Sequence, residues 1–348
     1  MTKDNISIKL KTDHIFRMTD DTGILHESSF GVPEPSKGYT SIDNARALIM
    51  TVKLFEQTHS KRVEGLIYKY VSFLSNAQKE DGTFRNSMGY NREFLEEEVP
   101  EECFGRCLGA LCYAFSSHNT PNAIKMAARC LIDKALPNCM KQTSSRAIAY
   151  VIIGLNYLGE EKTNVYISKL AALLADHYMH YKSDDWYWFE ESLTSCNAIL
   201  PWALLTAFIV TKETRYLKTG IETLQFLEGK TFTDGYFKPI GSNGLRNCTD
   251  ESVQFDEPSL EASEAASAYI EAYLATKNAD YLGKAKTCFL WYTGKNSINM
   301  SLLDNETGGC HDGIYSAGLN PNQSAVSVIS FWMAYLEIKK YLKPQKTA

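Results

Sequence analysis

The chain contains no run approaching the ~20 uninterrupted apolar residues that a membrane-spanning helix requires, so no membrane span is expected. Its first ten residues are largely polar and hold no apolar run, so no secretory leader is expected from them. Glycine patterns of the Walker or Rossmann type are missing, which removes the usual phosphate cradles. No GxSxG elbow marks a serine hydrolase. There is no CxxC pair either. The nine cysteines lie mostly inside helical patterns, as at Cys103, Cys107, Cys112, Cys130, Cys139 and Cys288. They read as small buried hydrophobes in a reducing compartment rather than as a disulfide framework or metal site, and a cytoplasmic address is expected. A net charge of -5 lacks the basic excess that nucleic acid or an anionic membrane surface would call for, so neither is an expected partner.

What the chain does have is helix. Its 348 residues are 44% hydrophobic and 22% charged, enough for one substantial core. A single domain is expected over 1–348, with residues 1–38 as an extended segment packed on it. Six stretches begin with a polar or acidic cluster and run straight into an apolar helix. They start near Asp43-Asn44, Glu101-Glu102, Ser144-Ser145-Arg146, Cys196-Asn197, Glu261 to Glu264 and Asn322-Gln323-Ser324. Helices that are apolar on nearly all sides belong inside a protein.

The spacing predicts inner helices at Ser41–Thr58, Glu102–Ser116, Ser145–Leu158, Asn197–Val210, Ser259–Ala275 and Gln323–Ile338. Between them it predicts amphipathic outer helices at Arg62–Gln78, Pro121–Leu136, Val165–Tyr181, Thr214–Leu227 and Asp280–Thr293. In the first of these, Val63, Leu66, Ile67, Tyr70, Val71 and Leu74 share one face, and lysines and asparagine fill the other. The pattern describes an all-α ring of helical hairpins, an (α/α)6 toroid. One outer element is missing, because the segment before Ser41 shows no helical pattern. Pro201, about one turn into its helix, either fixes a start near Asn197 or introduces a kink.

Loop lengths say where function should lie. Inner-to-outer connections such as Lys212-Glu213 are short, whereas Lys79–Glu101, Phe232–Pro258 and Gly294–Asn322 are long. Antiparallel alternation gathers the long loops at the N-terminal ends of the inner helices, around one mouth. Loops of that length carry function unless they are disordered, and these are rich in aromatics, glycines and acids.

Asp81-Gly82, Asp234-Gly235 and Asp312-Gly313 are each followed shortly by an aromatic, a turn device; alternatively Asp312 points into the mouth. Asp184 to Glu191 sets four aromatics between acidic pairs. Flat rings beside carboxylates suit a sugar, with its apolar faces and polar edges. Equally, the rings can plug the core while Glu190 and Glu191 cap the next helix. Asp43, Glu102, Glu261 and Glu264 stand at inner-helix starts, with Asp256 and Glu257 just upstream of the last two. Singly, each is at home in a helix's first turn. Converging on one mouth, they can supply the carboxyl pair of glycoside hydrolysis, ~5–5.5 Å apart for retention or ~6.5–9.5 Å for inversion. His177 and His180 have no third ligand in view, and no metal or other cofactor is expected. Only His26 and His311 fall near the mouth, which disfavours a sugar epimerase working through a histidine pair.

The string Thr22-Gly23-Ile24-Leu25-His26 through Gly38-Tyr39-Thr40-Ser41-Ile42-Asp43-Asn44-Ala45-Arg46-Ala47-Leu48 resembles the opening of six-hairpin, (α/α)6-toroid domains of the glycosidase-like kind. Such domains are often attached to bacterial glycosyltransferases or found near mannoside-processing enzymes. Gly105-Arg106, Ser145-Arg146-Ala147, Trp188-Phe189-Glu190 with Asn197 and Leu200-Pro201, Asp234-Gly235 with Pro239-Ile240-Gly241, Phe255-Asp256, Thr307 to Gly313 and Asn320 to Gln323 continue the likeness in order. The resemblance implies a carbohydrate-active toroid in a bacterial setting. The chain departs from the pattern where an acid precedes the Asn of the fourth inner helix, here Cys196, and early in the last inner helix, here Val326.

The expectation is therefore a glycoside hydrolase acting on an oligosaccharide, which the resemblance suggests is a mannoside. Acid and base would come from Asp43, Glu190, Glu191, Glu257 and Asp312. Trp186, Trp188 and Tyr236 would stack on sugar, and Arg46 and Arg106 would position hydroxyls or orient a carboxylate. Asn44, Glu102, Arg146, Asn197, Asp256, His311 and Gln323 complete the expected substrate-binding set. The alternative is a non-catalytic glycan-binding domain working beside a glycosyltransferase.

Overall fold

A computed structural model describes residues 11–95, 98–241, 244–245 and 256–342. Residues 1–10 of the expected N-terminal segment and Phe255 lie outside the described residues. Twelve α-helices lie within them: α1 (Asp13–Met18), α2 (Ser41–Thr58), α3 (Lys61–Ala77), α4 (Glu102–Ser116), α5 (Asn122–Ala135), α6 (Ser145–Asn156), α7 (Glu161–Tyr181), α8 (Ile199–Thr211), α9 (Thr214–Thr231), α10 (Ser259–Thr276), α11 (Asp280–Leu290) and α12 (Ala325–Leu342). From α2 onward the even-numbered helices are the inner ones. Each packs on the next, and α12 packs back on α2, so the ring closes. The odd-numbered helices α3 to α11 lie outside, each against its hairpin partner. This is the (α/α)6 toroid that the periodicity predicts.

Composition explains the two layers. In α8 only Trp202, Phe208, Ile209, Val210 and Thr211 are even partly exposed, whereas α5 buries just Ile124, Ala128, Ile132 and Ala135 along one stripe. Buried apolar side chains from inner and outer helices form one continuous cluster. Among the described residues no helix is long and apolar enough to cross a membrane. Eight of the nine cysteines fall in the described residues; all are unpaired, and all but Cys130 are buried.

The sixth outer position differs from expectation. Where no helix was expected, α1 supplies six residues that bury His14, Ile15 and Met18 and pack on α12. It is too short to show a helical repeat in the sequence. The fourth inner helix starts two residues later than expected, at Ile199. Pro201 therefore falls in the first turn, where an N–H has no intrahelical partner to lose, and no kink is required.

Alternation places the N-termini of all six inner helices at one face. Short two- or three-residue ladders tie the loops there: Tyr39–Thr40 with Ser87–Met88, and Glu257–Pro258 with Gly313–Tyr315. α2 opens on a reciprocal cap. Thr40 Oγ1, the N-cap, accepts from the Asp43 backbone N–H at 3.0 Å and donates to Asp43 Oδ2 at 2.7 Å.

Candidate active site

Inside the mouth, Arg46, Arg106, Tyr150, Trp202, Glu264 and Met333 line a pit of about 70 Å³ on the ring axis. One close helix crossing builds a wall of it. A Cβ on Gly154 of α6 would stand 2.7 Å from the Cα of Gly109 on α4, and one on Gly105 would stand 2.6 Å from Tyr150 Cβ. Only glycine allows the backbones so near. The approach carries Arg106 over the Tyr150 ring, 4.0 Å from its centroid, a cation–π geometry.

Polar contacts extend from that pair. Tyr150 Oη donates to Glu264 Oε1 at 2.5 Å, and Arg106 Nη2 lies 3.5 Å from the same oxygen and 3.2 Å from Cys196 Sγ. Arg106 Nε and Glu264 Oε2 are buried with no hydrogen-bond partner in the protein. Burial works against the Arg106 charge, but the pull of Tyr150 and Cys196, where they ionise, and of Glu264 outweighs it and raises the guanidinium pKa. Arg46 is placed differently. It donates to Ser330 Oγ at 2.7 Å and toward the Val326 carbonyl at 3.5 Å. Burial and then the neighbouring Arg106 lower its pKa.

Both positions where the chain lacks an expected acid thus lie beside an arginine of the pit: Cys196 beside Arg106, and Val326, through its carbonyl, beside Arg46. Burial and the nearby Glu264 push the Cys196 thiol up to about 12, so it is a neutral partner. Glu261, one turn before Glu264, accepts from the backbone N–H groups of Cys196 and Asn197. Burial and Glu264 push it up to about 7, against those two donors and Arg146.

Asp43 is buried at the lip and accepts from His26 Nδ1–H at 2.6 Å. The His26 bond, its charge, Thr40 and Arg46 overcome burial and hold the Asp43 carboxyl below the usual range. That bond raises the His26 pKa more than burial lowers it. His26 is part-exposed at 39%, and its backbone carbonyl accepts from the Ala325 N–H, which sets the ring between the starts of α2 and α12.

The other expected catalytic acids have their own partners. Glu190 pairs with Arg146, whose Nε and Nη2 also hold Ser195 O and Thr194 Oγ1, each at 2.6 Å, so the pair fixes the loop before α8. Glu191 is exposed. Glu257 is buried under the mouth and accepts from Trp291 Nε1 at 2.8 Å; burial raises its pKa. Asp312 caps α12, accepting from Ser324 N–H, Ser324 Oγ and Ser327 Oγ, each at 2.7 Å. Asp256, Glu257 and Asp312 share a hollow on the rim, apart from the axial pit.

Among the expected binding residues, Arg46 and Arg106 are the ones that line the pit. Glu102 is half-buried and close enough for its charge to act on Arg106. Trp188 has no exposed surface and Trp186 is buried; both rings gather on Phe226 of α9, and Trp186 Nε1 donates to Glu190 O at 2.7 Å. Tyr236 is half-buried on the loop after α9. Asn44 is fully buried and bonds the Ile24 and Thr40 backbone. Asn197 Oδ1 accepts from the Thr194 N–H, His311 Nδ1 sits 2.9 Å from Asn320 O, and Gln323 bridges Thr307 and Asp304. Tyr150, Trp202 and Met333 are the site residues that the sequence reading left out, along with His26, Glu261 and Glu264, which it noted without assigning a role. Among the described residues no three His, Cys, Asp or Glu side chains gather as a metal site would require.

No family model matches the chain, and no curated protein matches it. Solved structures do. A sugar epimerase from a ruminal bacterium superposes with a TM-score of 0.73 at 13% identity, covering 95% of this chain and 97% of that one. A D-mannose isomerase gives 0.69 at 11% identity, over 94% and 96% of the two chains. An inactive variant of a Salegentibacter α-1,6-mannanase, two consecutive aspartates changed to asparagine and α-1,6-mannotriose bound, gives 0.61 at 13% identity over 95% and 97%. At such identities the likeness is one of fold, and this chain has the (α/α)6 toroid fold over almost its whole length.

Proposed function

We propose that this protein is a carbohydrate-active enzyme of the glycosidase-like toroid kind, seating the terminal sugar of an oligosaccharide in the axial pit. The observation that carries the reading is the pairing of a buried, unpartnered donor, Arg106 Nε, with a buried, unpartnered acceptor, Glu264 Oε2, in a cavity flanked by Trp202. Sugar hydroxyls both donate and accept, and an indole face suits their C–H surface. The similar folds that process mannosides and other sugars support the same substrate class.

For the chemistry, we assign the acid to His26 and the base to Glu264. Asp43 fixes the His26 tautomer and keeps its ring protonated to higher pH, so Nε2–H can be given to a leaving oxygen. Glu264, held by Tyr150 and Arg106, would take a proton from water. Asp43 thus acts through His26. The chain's two adjacent-aspartate pairs do not offer a route like the mannanase's. Asp20 and Asp21 bind Tyr39 and Arg92, and Asp184 and Asp185 are exposed.

A second reading is a glycan-binding domain without turnover that partners a bacterial, cytoplasmic glycosyltransferase. The neutral Cys196 and Val326 beside the pit arginines favour it. Incubating the protein with manno-, gluco- and galacto-oligosaccharides, and following products by NMR so that hydrolysis and epimerisation are both seen, separates the two. Cleavage that falls roughly 10²- to 10⁴-fold in Asp43→Asn and Glu264→Gln supports the enzyme. Absence of products with a ligand-induced rise in Tm supports the binding domain. No product and no Tm shift with any sugar defeats both.

A further inference from the structure

Arg46 is the charge in the pit that nothing balances locally. Arg46 as a whole residue is 7% exposed. Its hydrogen-bond partners are a serine hydroxyl and, at longer range, a carbonyl, and no carboxylate lies within ion-pair distance of it among the described residues. The neighbouring cations have carboxylate partners. Arg106 has Glu264 at 3.5 Å with Glu102 nearby, Arg146 has Glu190, and His26 has Asp43. Asp43 and Glu264 are the carboxylates whose charges reach Arg46, and both are already engaged by His26 with Thr40 and by Tyr150 with Arg106. A buried guanidinium without a carboxylate is costly to keep, and that cost is recovered when an anion meets it. Six inner-helix N-termini point at the same mouth, each adding a partial positive charge.

Resting on the carbohydrate reading above, we propose that the pit selects an acidic sugar, a ring bearing a carboxylate or phosphate, whose anionic group docks on Arg46 between α2 and α12. Neutral rings would leave that guanidinium as it stands. Arg46 is then the residue that sets specificity for charge, while Arg106 and Glu264 handle hydroxyls.

Titration calorimetry with the full chain tests this without any variant. Glucuronate, galacturonate and mannuronate are compared with glucuronamide, its uncharged counterpart, with the neutral hexoses, and with glucose 6-phosphate. A charge-assisted contact in a buried site predicts that an acid binds roughly 10- to 100-fold more tightly than its amide or neutral parent. Preference for the uronate identifies a carboxylate source, and preference for the hexose phosphate a phosphorylated one. Arg46→Met should bring the acid-to-neutral ratio close to one, and Arg46→Lys should keep part of it. If Arg46→Met does not fold, the wild-type ratio decides alone. Neutral sugars binding as tightly as the acids would overturn the acidic-sugar proposal and leave the carbohydrate reading intact. No binding of any sugar, charged or neutral, would overturn both.

Discussion

Replacing Gly154 with alanine should destabilise the protein, whereas the same replacement at Gly65 should stabilise it. Both glycines lie inside helices, where alanine is favoured by about 1 kcal/mol. At Gly65 an added Cβ meets nothing within 4 Å, so that gain should appear nearly whole. At Gly154 the new carbon would stand 2.7 Å from Gly109 Cα and 3.0 Å from Gly109 N, backbone atoms that no rotamer change can move aside. Overpacking of this kind costs about 1–3 kcal/mol, and contact with backbone on both sides argues for the upper end. The net expectation is a loss of about 2 kcal/mol, so two chemically identical changes should differ by about 3 kcal/mol. Because Gly154 packs beside Arg106 and Tyr150, the variant should also weaken ligand binding in the pit. Urea denaturation of the two variants beside the parent reads the first effect, and calorimetry the second. Equal stabilisation by both alanines would mean that α4 and α6 do not touch backbone to backbone, and the account of the pit wall would fail.

Two further expectations concern the far end of the axis. Burial pushes Glu271 up to about 7 in the folded chain, against 4.5 for a free glutamate. Between those values the folded state binds a proton that the unfolded state has released, so this group's contribution is intact below about pH 4.5 and is lost as pH rises toward 7, roughly 3 kcal/mol in all. Glu271→Gln should flatten the fall in Tm between pH 5 and 8, and an unchanged slope would place the titration elsewhere. Lys53 and Glu337 form a buried pair with Lys340 beside it. Lys53→Met should cost about 3 kcal/mol by leaving Glu337 poorly matched, and adding Glu337→Gln should recover part of that loss. A double variant no more stable than the single one would show that packing of the lysine stem, not charge, is what matters.

Helix alternation was legible because each helix carries its environment along its length. Val63 to Leu74 marks a half-wet helix, and Ile199 to Thr211 a dry one. α1 was not legible, since six residues hold fewer than two turns. The mouth followed from loop lengths, and so Arg46 and Arg106 could be placed in it. Tyr150, Trp202 and Met333 could not. They sit on helices apolar on nearly every side, where no pattern tells which face turns to the axis. Trp186 and Trp188 illustrate the converse. Acids flank them in sequence, yet the partner that places them, Phe226, lies some forty residues on and on an outer helix. The His26–Asp43 contact joins residues on either side of the turn at Gly38, a pairing that nothing periodic announces.

Ring closure also has a temporal side. The seam of the toroid joins the beginning of the chain to its end: His14 Nε2 bonds the Gln323 carbonyl, Ser28 Oγ takes the Gln323 N–H, and Arg46 reaches Ser330. A ribosome making this protein releases α2 long before α12 exists. Until then Arg46 has no serine to hold, the capping of α12 by Asp312 cannot form, and one side of the pit is open to water. Contacts of such long sequence separation are slow to form and come late. The proposed sugar site is thus assembled only once α12 has been made, and a nascent chain stalled before Ser330 would lack one wall of the pit.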